Sequence, residues 1–176
     1  MNKKIWNTKG NTPSNEVTAF LAGEDIELDK SIFIYDVDAT LAHIKGLCSI
    51  KIIKKNELAK LTKSLKELKI KFLEGSFKLS NKYEDCHSAI EFYLIKELGD
   101  LGKKVHTGRS RNDQVIVAMR LFAKQNLIDF KKANKLVAKT FLKLAKKHED
   151  LPMPGYTHLQ RAMPSSWGLW FSSYAE

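Results

Sequence analysis

The chain is poor in cysteine, arginine and strand-like alternation, and each scarcity excludes something. Its two cysteines, Cys48 and Cys86, have no metal-ligand spacing and read as small buried apolar groups rather than a disulfide or a reactive thiol. No apolar run approaches the roughly 18–20 residues needed to cross a bilayer. The N-terminus also lacks the apolar core of a signal peptide, so a cytoplasmic chain with no membrane segment is expected. Only four arginines occur, and three of them, Arg109, Arg111 and Arg161, fall inside two short polar clusters.

What is present is a 176-residue sequence with 43% apolar residues, enough to bury a core as one domain or two small ones. The net charge of +10 invites a nucleic-acid reading. It is a lysine charge, however, scattered along Lys51–Lys71 and Lys131–Lys147 and interleaved with Glu57, Glu67, Asp129 and Glu149, as on a solvated helix face. No interleaved aromatic stacking platform or nucleic-acid module accompanies it, so no nucleic-acid partner is expected. Arginine used sparingly and in clusters indicates planar recognition of carboxylates.

Apolar residues recur at three- and four-residue steps, which predicts an all-α fold. The first helix is expected from about Asp29 to Ile50, with Phe33, Val37, Leu41, Ile44 and Leu47 or Cys48 on one stripe. A second begins near Asn56, carries Leu58, Leu61, Leu65, Leu68 and Phe72, and stops at Gly75; a third runs from Glu84 to Leu98 and stops at Gly99. A polar loop leads to Ser110 or Asn112, either a suitable N-cap, with Asp113 favourable in the first turn. The next helix meets no breaker before Pro152, and Val115, Met119, Phe122, Phe130, Ala133, Val137, Phe141 and Leu144 sustain its stripe. So long a helix calls for similar helices or partner subunits to cover it. After Pro164 a fresh apolar segment opens with Trp167, Leu169, Trp170, Phe171 and Tyr174 and the sequence stops within it, so the chain is expected to be the N-terminal piece of a longer polypeptide.

Two clusters carry chemistry. Thr107-Gly108-Arg109-Ser110-Arg111-Asn112-Asp113-Gln114 gathers two guanidinium groups, a hydroxyl, an amide and a carboxylate around one glycine, at the start of the long helix. The unpaired N–H groups and positive dipole end of that helix also favour an anion. Further along, Gly155-Tyr156-Thr157-His158-Leu159-Gln160-Arg161-Ala162 sets a proton-transfer residue beside a hydroxyl. Spacing and charge alone give an all-α, carboxylate-binding, proton-transfer site.

These segments, with Asp36-Val37, Leu41-Ala42-His43, Glu84-Asp85-Cys86-His87, Gly99-Asp100-Leu101-Gly102-Lys103-Lys104 and the run from Met163 to Glu176, resemble argininosuccinate lyase of the fumarase/aspartase superfamily. The resemblance covers essentially the whole chain and is weakest before Phe20. It implies an L-aspartase/fumarase-like architecture, with residues 1–110 an N-terminal, mostly helical domain and 111–176 the start of a central helical bundle. It also implies β-elimination of argininosuccinate to L-arginine and fumarate, the last step of arginine biosynthesis, in a homotetramer and without metal or organic cofactor. Such a reaction must remove a carbon-bound proton beside a carboxylate, stabilise the charge that develops and protonate the departing nitrogen.

By that resemblance His158 is the acid–base residue, Thr157 a hydroxyl contact to a substrate carboxylate and Asn112 a substrate-binding amide. Arg109, Ser110 and Arg111 are either substrate contacts or caps and structural pairs. Asp85 and His87 match an Asp-x-His pair near the site; read alone, the pair would be a helix-start carboxylate and an exposed imidazole. His43, His106 and His148 read as structural or surface residues, and Lys103 and Lys104 as a solvated pair. The chain departs from the family pattern at Ile5-Trp6-Asn7-Thr8-Lys9 and at Asp25, which stands where a serine is expected. A carboxylate there would repel a substrate carboxylate, so Asp25 either meets the cationic end of the substrate or is replaced in function by a rearranged N-terminus. The family's mobile loop with its catalytic serine is absent, so the chain by itself is expected to be inactive. Adenylosuccinate lyase and a non-catalytic helical assembly module are the alternative readings.

Overall fold

The computed structural model describes Val17, Phe20 and residues 23–80 and 82–176. The 5–9 segment, where the start departs from the family pattern, lies outside them. The described residues form α1 (Asp25–Asp29), α2 (Phe33–Ser49), α3 (Lys55–Leu73), α4 (Cys86–Leu98), α5 (Asp100–Lys103), a 3-10 turn (Lys104–His106), α6 (Arg111–Lys147), strands β1 (Pro152–Thr157) and β2 (Gln160–Ser166), and α7 (Trp167–Ser173). They divide into two compact units, Met1–Ala123 and Lys124–Glu176.

The first unit is a helical core built from the expected stripes. Phe33, Val37, Ile44 and Leu47 of α2 meet Leu61, Leu65 and Leu68 of α3 and Cys86, Ala89, Ile90, Tyr93 and Leu94 of α4, all buried. Leu41, Cys48, Leu58, Phe72 and Leu98 pack partly buried at its margin. Phe33 and Phe72 stack with ring centres 4.1 Å apart, so one aromatic pair joins the start of α2 to the end of α3. The periodicity expected to run unbroken from Asp29 is instead split into α1 and α2. The Asp29 carboxylate accepts the Cys86 backbone N–H at 2.8 Å, a long-range contact that no local pattern encodes.

The expected Gly99–Arg111 loop folds into α5 and the 3-10 turn. Gly102 permits this: a Cβ there would lie 2.5 Å from the backbone carbonyl atoms of Leu94, so α5 can approach α4 only where no side chain intervenes. Lys104, expected to be solvated, instead donates to Glu57 at the start of α3 (2.8 Å). Lys103 pairs with Asp100 on the surface.

In the second unit the segment after the Pro152 break is an antiparallel hairpin, with Pro152 opposite Ser166, Pro154 opposite Pro164 and Thr157 opposite Gln160. A two-stranded ribbon has only edges, which is where proline is tolerated. The register shifts between Pro154 and Tyr156, at Gly155, where a Cβ would lie 2.6 Å from the Met163 carbonyl oxygen. Thereafter Leu151 O and His148 O accept the N–H groups of Trp167 and Gly168, and Phe171 and Tyr174 of α7 lie against Phe141 of α6.

Among the described residues part of the α6 stripe is left uncovered: Phe130 is 70% exposed and Val137 50%, and the neighbouring Leu136 67%. Each such side chain withdrawn from water contributes about 1.5–3 kcal/mol, more than a solvated helix leaves unused. Sedimentation velocity at micromolar concentration is therefore expected to show self-association that weakens in Phe130→Lys/Val137→Lys; a clean monomer would remove the stripe as an interface.

Candidate active site

The corner from Thr107 to Gln114 is built from the first unit alone. Gly108, at φ 73°, turns the chain in a conformation that L-residues rarely adopt. Ser110 then caps α6: its Oγ accepts the Asp113 N–H (3.3 Å), while the Asp113 carboxylate accepts from the Ser110 N–H (2.7 Å) and hydroxyl (3.0 Å). Those bonds from Ser110, backbone first, hold the Asp113 carboxyl below the usual carboxylate range. Asn112 lies exposed on the same first turn.

Arg111 is engaged on every nitrogen. Its Nε sits 3.1 Å from Asp85 Oδ2, and its two terminal nitrogens donate to Gln114 Oε1 (3.1 Å) and Ser88 Oγ (3.2 Å). Asp85 in turn caps α4, its Oδ1 accepting the Ser88 N–H and hydroxyl at 2.6 Å each. One carboxylate thereby ties the start of α4 to the start of α6. Arg109 donates to Thr40 Oγ1 and the Val105 carbonyl (3.2 Å each), and its buried Nε has no hydrogen-bond partner among the described residues. A small cavity of about 10 Å³, room for one water, is lined by Arg109, Thr40, His87, Glu91 and Gln114 among others.

His87 is not an exposed imidazole. It is 2% exposed, and its Nδ1–H donates to Asp36 Oδ2 at 2.7 Å, with Asp36 fully buried. Asp85 and His87, two residues apart, therefore serve different neighbours: Asp85 faces Arg111 and His87 faces the core. Cys86 is buried beside them, its Sγ 3.7 Å from His87 Nδ1, and burial followed by the nearby Asp36, Asp29 and Asp85 pushes its thiol pKa up. Asp36 enters the sequence reading only within the Asp36-Val37 segment of the resemblance and Thr40 not at all; the fold turns both towards the corner.

His43, expected to be structural, donates its Nε2–H to the Thr107 carbonyl at 3.0 Å and so pins the corner to α2. Asp25 is exposed in the first turn of α1. In the second unit, Thr157 and His158 are exposed where β1 ends and the hairpin turns. His158 and Leu159 both take positive φ, 49° and 64°, the pattern of a type I′ turn. For two residues with side chains that costs about 1–2 kcal/mol each, and the turn holds the imidazole at the tip. Among the described residues one group, Asp36, Cys86 and His87, brings potential metal-ligand atoms within 4.8 Å of one another.

Comparison with known proteins places this geometry in a family. The family described as Lyase matches residues 14–176, and the chain belongs to it. Argininosuccinate lyase of Stenotrophomonas maltophilia is 46% identical over 172 residues, covering 98% of this chain and 40% of that protein. Argininosuccinate lyase of Xanthomonas axonopodis pv. citri is 44% identical over 176 residues, covering 100% and 41%. The chain thus spans about 40% of the length of the curated relatives it matches. The fold is also similar to that of an EDDS lyase variant with bound fumarate (TM-score 0.70, 24% identity, 94% of this chain and 33% of that one). It resembles a fumarate lyase from Mesorhizobium sp. BNC1 as well (TM-score 0.64, 21% identity, 96% and 39%).

The bridging role of Asp85 is separable by mutation. Asp85→Ala is expected to cost about 1–3 kcal/mol by removing a helix cap and leaving Arg111 Nε unpaired. Asp85→Asn, which keeps an oxygen for the cap, is expected to cost less; equal losses in urea unfolding would assign no weight to the cap. His43 gives a pH signature. Burial, then Arg109, lowers its pKa in the folded state, so the unfolded chain binds the extra proton first. The stabilisation is present above the ordinary histidine range and is lost as pH falls through it. Urea midpoints measured from about pH 7.5 to about pH 5.5 should fall less in His43→Gln than in the parent; identical slopes would exclude His43 as a contributor.

Proposed function

We propose that this chain is the N-terminal part of an argininosuccinate lyase that cleaves argininosuccinate to L-arginine and fumarate. The single observation that carries the reading is 44–46% identity to proteins of that name across essentially the whole chain. Residues 1–110 form the N-terminal domain, and 111–176 begin the central bundle of a homotetramer, whose subunits jointly cover the exposed stripe of α6. The substrate is a small polycarboxylate with a cationic end, and the working enzyme is cytoplasmic and uses no cofactor.

In this reading His158 exchanges the proton. Loss of a proton from the carbon beside a carboxylate leaves an electron pair that forms the C=C bond as the C–N bond breaks, and the leaving nitrogen takes a proton. Imidazole suits such transfer near neutrality, and a rigid two-residue turn limits the positions its ring can take. Thr157 offers a hydroxyl to a substrate carboxylate, and Asn112, exposed at the start of α6, offers an amide beside unpaired helix N–H groups. Ser110, Arg109 and Arg111, engaged by Asp113, Thr40 and Asp85, hold the corner in shape and add positive field. Asp85 and His87 position rather than react, and Asp25 faces the cationic end of the substrate.

The test joins this chain to the C-terminal remainder of the Stenotrophomonas relative and follows fumarate release from argininosuccinate. The joined protein is expected to turn over, and the 176-residue chain alone is expected to release none. His158→Ala or Asn112→Ala in the joined protein should lower turnover by about 10²–10⁴-fold with little change in stability. A folded joined protein that ignores argininosuccinate but cleaves adenylosuccinate would establish the neighbouring lyase instead. One that cleaves neither would indicate a non-catalytic helical module.

A further inference from the structure

The proposed reaction asks only positioning of His87 and nothing of Cys86, and the composition of the buried group at the start of α4 points to a further role. Cys86, His87 and Asp36 present a sulfur, a ring nitrogen and a carboxylate oxygen, all within 4.8 Å of one another and all at 2% exposure or less. We infer that this cluster is a site for one divalent cation of the zinc class, bound by Cys86 Sγ, His87 Nδ1 and a carboxylate oxygen of Asp36, with solvent completing the coordination.

Three observations carry the inference. The donor set is mixed: sulfur, nitrogen and oxygen together suit Zn²⁺ better than the hard cations, which take oxygen alone. The spacing is close to what coordination needs. Tetrahedral bonds of about 2.0–2.3 Å put nitrogen and sulfur about 3.6 Å apart and nitrogen and oxygen about 3.3 Å apart. Cys86 Sγ and His87 Nδ1 already stand at 3.7 Å, whereas the 2.7 Å His87–Asp36 pair has to open by roughly 0.6 Å to meet that geometry. The charge is also favourable: the fully buried Asp36 carboxylate, 2.7 Å from His87 Nδ1, is a negative group within the cluster that a divalent cation would meet.

The step balances without a redox partner. The Sγ–H bond breaks and its proton leaves to solvent, the His87 ring proton moves from Nδ1 to Nε2, and metal bonds form at Sγ, Nδ1 and the Asp36 carboxylate. The ion would cross-link α2 to α4. Because Asp36 also accepts from Thr40, the partner of Arg109, occupancy at this site reaches the Thr107–Gln114 corner.

The inference stands apart from the lyase reading, and it is tested on the 176-residue chain itself. Cys48→Ala leaves Cys86 as the one thiol, and Cd²⁺, a zinc stand-in whose thiolate bond absorbs in the ultraviolet, is titrated to equilibrium. The expected result is one Cd²⁺ per chain, displaced by Zn²⁺, with a raised thermal midpoint and no band in Cys48→Ala/Cys86→Ala. Asp36→Asn and His87→Gln, each checked for folding by circular dichroism, should weaken affinity by about 10–100-fold. These two variants decide the matter should removal of Cys86 unfold the chain. No band in folded Cys48→Ala at micromolar Cd²⁺ would overturn the site. Unchanged affinity in both Asp36→Asn and His87→Gln would overturn it too, because the thiol alone would then be capturing the ion.

Discussion

The Asp85 carboxylate is the contact on which the arrangement of the first unit turns. One oxygen closes the start of α4 through Ser88, and the other meets Arg111 at the start of α6. A guanidinium in the first turn of a helix opposes the positive end of the helix dipole, whereas a carboxylate there is favoured. Asp85 resolves both: it satisfies the N-terminus of its own helix and neutralises the cation at the N-terminus of the other. Two helix starts, each with unpaired N–H groups, are thereby brought side by side without a net excess of buried charge.

Behind this bridge lies a second polar layer, buried at Asp36, Thr40 and His87 and half-buried at Arg109. Asp36 accepts from His87, Thr40 lies between Asp36 and Arg109, and Arg109 reaches the Val105 carbonyl. Groups so deeply placed would be costly if unpaired. Paired, they specify one arrangement of α2, α4 and the loop before α6 where an apolar core would accept several. His43 completes the layer from α2 by holding the Thr107 carbonyl, so the corner that carries Asn112 is fixed from two sides.

Much of this was legible in the sequence because the helices announce themselves by spacing. Phe33, Val37, Ile44 and Leu47, then Leu61, Leu65 and Leu68, are both the periodic stripes and the core. Ser110 and Asp113 read as a helix start and form one. What stayed hidden depends on contacts across the chain. The break between α1 and α2 follows from Asp29 reaching Cys86, and the burial of His87 follows from Asp36 on a different helix. The hairpin after Pro152 was hidden for a local reason. Its turn is His158-Leu159, which carries none of the asparagine or glycine that usually marks left-handed backbone. Thr157 and His158 stood out by chemistry, not by conformation, so the sequence singled them out without the ribbon on which they sit.

The close approach at Gly102 has a mechanical consequence. With no space for even a methyl group against the Leu94 carbonyl, the elbow after α4 is indexed to a single position along that helix, like a key in a slot. The strand of backbone from there to Gly108 is short, so any drift of α4 is transmitted almost undiminished to the guanidinium corner. A lone hydrogen atom in place of a side chain thus sets the tolerance to which the Thr107–Gln114 end of this unit is machined.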